Sequence, residues 1–208
     1  VVVKFIHRSR VSIGQLALSS VYNRGSMNLK LPRIYKLLLS LALIIGPFTW
    51  LMFTEDGRRR SDLFILHLLG APSFNIGYDR LHAGVTETDI STQFPRVDFQ
   101  CDDRSTHFGA RVCAAKIASF NGLPARAAML FYQGGTLNAL QLDYRMRYHK
   151  TLVNSLRNGL GAPLAPVGGS ALVWNLDQGV VMLSSEQPER ESDAALVWLT
   201  PTLAASRQ

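Results

Sequence analysis

Asp98, Asp102, Asp103 and His107 fall within ten residues of one another, with Cys101 among them. Carboxylates offer hard oxygen ligands to a divalent cation, and a carboxylate beside an imidazole can move protons near neutral pH. One reading is therefore an envelope hydrolase acting through Asp102, Asp103 and His107. The other is a solvated connecting loop whose charges keep it in water. A second polar group, Arg145, Arg147, Tyr148 and His149, offers donors to an anion or forms the rim of a strand-to-helix junction. The sequence lacks the Gly-x4-Gly-Lys-Ser/Thr loop, the Gly-x-Gly-x-x-Gly turn, the Gly-x-Ser-x-Gly elbow and the His-Glu-x-x-His zinc pair. No cofactor or metal is expected, and binding is expected over catalysis.

Cys101 and Cys113 are the only cysteines. Their separation is too long for a Cys-x-x-Cys redox pair, and two cysteines without a His-rich run do not make a zinc site. They either close a disulfide or remain two buried thiols in a reducing cytoplasm. A disulfide would contribute about 3 kcal/mol in the chain-entropy model and needs an oxidising compartment.

The elements that position these residues can be read from periodicity. Thr86 and Asp89 form a capping box, Val85 and Ile90 a hydrophobic staple, and Pro95 ends a helix running from Glu87 to Phe94. Val97, Phe99 and Cys101 alternate with polar residues, which predicts a strand. The loop DDRSTHFG leads to a second strand over 111–120, and AAMLFYQ forms a third. Gly134-Gly135 predicts a type I′ hairpin. The return strand changes parity near Ala139, which predicts a bulge. Tyr148, Leu152, Leu156 and Leu160 recur every fourth residue, giving a second helix that Gly161 and Pro163 end. Strands follow over 171–176, 180–184 and 194–199, with Trp174 and Trp198 expected in the core. The expected fold class is α+β: an N-terminal transmembrane helix, then one small domain with an antiparallel sheet and two short packing helices, arranged as two helix-plus-hairpin units.

The charge distribution locates the membrane. The chain has 208 residues, with 22 Lys+Arg, 15 Asp+Glu and a net charge of +7. Lys4, Arg8, Arg10, Arg24, Lys30, Arg33 and Lys36 precede every acidic residue, and the rest of the chain is balanced. A neutral body has no cationic footprint for phosphate backbones, so nucleic acid is not an expected partner. Residues 37–53 carry no charge and read as a transmembrane signal anchor. Leu37 opens the span, Ile44 lies at its middle, Gly46-Pro47 admits a kink, Trp50 suits the interface and Phe53 closes it. A cleaved signal peptide is the competing reading, but no small-x-small site and no cysteine follow the run. Residues 1–36 are a basic tail, in which 1–26 read as an over-extended gene start before Met27. Residues 54–80 form a juxtamembrane helix, capped by Ser61, and a linker that either packs on the domain or lies at the interface. Residues 81–202 form the α+β domain. The positive-inside bias puts the N-terminus in the cytoplasm and the domain in the periplasm of a bacterial inner membrane.

The stretch LHAGVTETDISTQFP, Leu81 to Pro95, resembles the helix-opening motif of the BamE/SmpA-OmlA-like and beta-lactamase-inhibitor-protein-like envelope domains. Leu160-Gly161-Ala162-Pro163 with Trp174 looks like a second copy of the unit. Val85 stands where those families have Met, and Phe94-Pro95 where they have Gly-x-Pro. The resemblance implies small antiparallel sheets that bind other proteins of the bacterial envelope without catalysis. The partners expected are thus a lipid bilayer and an envelope protein.

Overall fold

A computed structural model describes residues 32–164 and 170–206. Most of the basic tail, including Met27, lies outside the described residues. The chain forms two units, Val1–Leu43 and Ile44–Gln208.

Helix α1, Arg33–Phe53, is long and apolar enough to cross a bilayer, and none of its residues is buried in protein. It starts a turn before Leu37 because Pro32 precedes it: the Pro32 carbonyl accepts from the Tyr35 amide at 3.0 Å. Pro47 lies inside it, and the Thr49 hydroxyl donates to the Gly46 carbonyl at 2.8 Å. Helix α2, Glu55–Leu68, begins seven residues before the start expected from a cap at Ser61. Thr54 is the cap instead. Its hydroxyl accepts from the Gly57 amide at 3.0 Å, and Glu55 and Asp56 sit at the positive end of the helix dipole.

The rest of the described chain runs β1 (Ser73–Phe74), α3 (Glu87–Gln93), β2 (Gln100–Asp102), β3 (Arg111–Lys116), β4 (Ser119–Phe120), β5 (Leu123–Gln133), β6 (Thr136–Tyr144), α4 (His149–Leu160), β7 (Ala171–Leu176), β8 (Gly179–Ser184), β9 (Ala195–Leu199) and α5 (Pro201–Ala205). The class is α+β, but the sheet is mixed rather than wholly antiparallel. Its order is β1-β4-β5-β6-β9-β8-β7, with β3 also on β5 and β2 on β3. The exception is β1, which runs parallel to β4. It is held there by the Ala118 amide on the Pro72 carbonyl, 2.7 Å, and the Ser119 hydroxyl on Ser73, 2.9 Å. Five α-helices form among the described residues, one more than the expected anchor, juxtamembrane helix and two packing helices, because α5 also forms.

The capping box forms as expected. The Thr86 amide donates to Asp89 Oδ2 at 2.9 Å, and the Asp89 amide to Thr86 Oγ1 at 3.2 Å. The predicted β2 shifts from 97–101 to Gln100–Asp102, since the Val97 amide is taken by a turn onto the Phe94 carbonyl. Gly134 and Gly135 both have positive φ, 60° and 83°, as a type I′ turn requires. The register slips between Phe131↔Ala139 and Tyr132↔Leu137, which places the bulge at Asn138.

Connectivity repeats across the sheet. Each half runs helix, outer strand, middle strand, inner strand: α3-β3-β5-β6 and α4-β7-β8-β9. The inner strands β6 and β9 pair antiparallel, with Leu140 opposite Trp198. On one face Leu130, Leu140, Leu142, Val181, Leu196 and Trp198 form a core with Ile90, Leu152 and Leu156 of the helices. Trp174 is buried with them, and its Nε1 donates to the Gly161 carbonyl at 2.9 Å. On the other face a smaller cluster joins Val112, Phe131, Ala139 and Leu199 to Phe108 and to Leu203 of α5.

Leu140 is fully buried at the centre of the larger core. Leu140→Ala should cost about 2–5 kcal/mol in denaturant unfolding of the full chain in micelles. Val197→Ala, half-exposed on the opposite face, should cost distinctly less.

Candidate functional site

Cys101 and Cys113 stand directly opposite each other on β2 and β3, their sulfurs at disulfide-bonding distance. That resolves the two sequence readings toward pairing. Glu87, from the first turn of α3, reaches the same place, so that its carboxylate and the two sulfurs lie within 4.8 Å of one another. This would be a ligand set only for reduced thiols, because a disulfide offers no thiolate to a metal. Glu87 instead accepts from Arg111 Nε at 2.9 Å, and Arg111 Nη1 donates to Asp103 Oδ1 at 2.8 Å.

The four polar candidates do not line one common hollow. Asp98 accepts from Gln100 Nε2 at 2.8 Å and lines a hollow of about 210 Å³ beside the disulfide. His107 lines a different one with Ser105, Thr106, Phe108 and Phe131. Asp102 and Asp103 are exposed and line neither, Asp103 being engaged by Arg111. Strand β2 explains the spread: it fixes Asp102 beside Cys101, and the chain then turns away through Thr106, whose hydroxyl donates to the Gly109 carbonyl at 2.9 Å.

In the hollow beside the disulfide, the buried Tyr132 hydroxyl has no hydrogen-bond partner among the described residues. Burial, reinforced by the Glu87 and Asp89 carboxylates, pushes its pKa up and keeps the phenol neutral. The Arg145–His149 group divides similarly. His149 is buried, not a rim residue, and its Nδ1 shares a 2.7 Å hydrogen bond with the Tyr144 hydroxyl. Burial holds its imidazole below the ordinary value of 6.5. Arg147 and the Tyr148 hydroxyl both meet the Asp62 carboxylate of α2. Burial and that carboxylate push Tyr148 up to about 12.

The broadest feature is one that polar motifs do not report. Ala114, Met129, Gln141, Val197, Met182 and Val173 form a single cross-strand row over six strands on the sheet face away from α3 and α4. All six are half-buried. Beside the row, Phe108 and Ala204 of α5 wall a groove of about 380 Å³ whose floor is Val173, Val180, Met182, Val197 and Leu199, with Asn175 its polar member. The signal was present as the second parity of each strand, for example Met129 and Phe131 between Ala128, Leu130 and Tyr132. Apolar residues on both parities hide which face is the core and which is open.

No family model, curated protein or solved structure matches the chain.

Two measurements follow from this geometry. Thiol labelling of the native chain should give no reaction until a reductant is added, and reduction should lower stability by about 3 kcal/mol. As pH falls, the unfolded chain takes up the His149 proton before the folded chain does, so stability should drop as pH passes below about 6.5. His149→Gln should flatten that slope in denaturation midpoints measured at a series of pH values.

Proposed function

We propose that this chain is a membrane-anchored, non-catalytic binding protein of the bacterial envelope. Its domain lies on the periplasmic side of the inner membrane and takes a protein partner on the open face of its sheet. The observation that carries this reading is the row from Ala114 to Val173 with its adjoining groove. A sheet with one face in water normally alternates apolar with polar residues, yet here two adjacent rows of the outer face are apolar except for Gln141 and Asn175, and the polar residues Lys116, Asp143 and Ser184 lie in the next row. Apolar patches of this kind, rich in methionine, suit protein contacts, where a partner's side chains seat in a groove and exclude water.

Two further observations support the anchor and the compartment. Helix α1 has the length and composition of a membrane span, and the cations Arg33 and Lys36 lie at its start. The cysteine pair at bonding distance suits an oxidising compartment. The resemblance of Leu81–Pro95 to envelope binding domains points the same way. Asp98 and His107 line different hollows and Asp103 is engaged by Arg111, which favours the binding reading over a hydrolase.

A photo-crosslinking residue placed at Val197 of the membrane-embedded chain should give one discrete protein adduct, and one at Lys150, exposed on α4, should not. Met182→Asp should reduce that adduct about tenfold, since a desolvated charge in the groove opposes docking. Equal adducts from both positions, or indifference to Met182→Asp, would sink the sheet-face reading. A reporter fused to the C-terminus that is active only in the cytoplasm would sink the compartment.

A further inference from the structure

Helix α2 leaves one side without protein cover among the described residues. Phe64, Ile65, Leu68 and Leu69 are 67%, 52%, 75% and 74% exposed. Positions three and four apart share a helix face, so the spacings Phe64–Leu68, Ile65–Leu68 and Ile65–Leu69, the last residue being the C-cap, join these four into one stripe. The opposite side holds the domain: Asp62 meets Arg147 and Tyr148, and Leu63 and Leu66 are half-buried. A solvated helix would carry polar residues on its outer face.

What covers the stripe is indicated by the chain itself. Only Thr54 separates α2 from Phe53, the last residue of α1. The junction is closed by several contacts. Thr54 Oγ1 donates to the Trp50 carbonyl at 2.8 Å, Arg58 Nε donates to the Met52 carbonyl at 2.6 Å, and Gly57 lies against the backbone of Trp50 and Leu51. A Cβ on Gly57 would come within 2.5 Å of the Trp50 carbonyl oxygen, so this approach needs glycine. If α1 spans a bilayer, α2 therefore starts at its surface. Arg58 and Arg60 are exposed in its first turns, where lipid phosphates would lie.

The geometry points to α2 as an interfacial helix that lies along the bilayer surface, with Phe64, Ile65, Leu68 and Leu69 in the headgroup–acyl boundary and the domain seated on its other side. Such helices bind by burying an apolar face to a depth of about 5–10 Å while cations on the polar flanks meet anionic headgroups. The inference rests on the membrane reading of α1 and adds to it a lipid site and a fixed seat for the domain.

Depth-dependent quenching tests it on the full chain, reconstituted in vesicles of acyl-brominated phosphatidylcholine with a minority of phosphatidylglycerol. In a Trp50→Phe parent, Phe64→Trp and Leu68→Trp are compared with Ile44→Trp in the anchor and Gln178→Trp on the β7–β8 turn. All four replaced side chains are exposed, so folding is spared. Phe64→Trp and Leu68→Trp should each lose about half or more of the new fluorescence to bromine, as Ile44→Trp does, while Gln178→Trp loses none. Arg58→Gln with Arg60→Gln should abolish the extra quenching that phosphatidylglycerol gives. Quenching at Ile44→Trp but none at Phe64→Trp and Leu68→Trp overturns the interfacial helix and leaves the anchor standing. No quenching at Ile44→Trp overturns the anchor as well.

Discussion

The pairing of β6 with β9 holds the sheet in one piece. Each is the inner strand of its half, and the five residue pairs from Ala139↔Leu199 to Asp143↔Ala195 are what join the halves. Leu140 and Trp198 meet on the core side of that seam, beneath both helices, and on the other side Ala139 and Leu199 floor the smaller cluster. Everything outward depends on this register. Tyr144, at the end of β6, carries the hydrogen bond that fixes His149, and so the start of α4. On the far side, β8 aligns Met182 with Val197 only because β9 is held by β6.

Two kinds of constraint then act on the periphery. Short polar devices set the loops: the Thr86–Asp89 box starts α3, whose first-turn Glu87 engages Arg111 on β3. The cysteine pair ties the three-residue β2 to β3, and a strand so short has few ladder bonds of its own. Backbone proximity sets the other end of the described chain, where Gly57 lets α2 close on the last turn of α1 and Asp62 ties α2 to Tyr148. The open sheet face and the exposed stripe of α2 lie on separate elements, so one molecule can present both.

Local chemistry was legible in the sequence and tertiary pairing was not. The Thr86–Asp89 box, the Gly134-Gly135 turn, the parity slip near Ala139 and the four-residue stripe of α4 each depend on neighbours within a few residues, and each appears within a residue or two of where the pattern puts it. The start of α2 was misplaced because Thr54 closes an apolar run and looks like its end, whereas its hydroxyl caps the next helix. The parallel β1–β4 pair is invisible because Ser73 and Ser119 are far apart in sequence and each strand has only two residues. For the polar candidates, nearness in sequence does not give a shared hollow: Asp98 and His107 are nine positions apart but line different ones, since a strand and a turn lie between them. The sheet face escaped notice because apolar residues on both parities carry no label for inside and outside.

The position of β9 also bears on the order of assembly. It follows the other eight described strands in the chain and is one of the two that join the halves of the sheet. Until it emerges, β6 has an unpaired edge and the first half lacks Trp198 and Leu196 from its core. Long-range strand pairing of this kind makes folding slow and exposes unfinished edges. The domain is thus a late closer: its two halves can join only once β9 has followed β6 out of the ribosome.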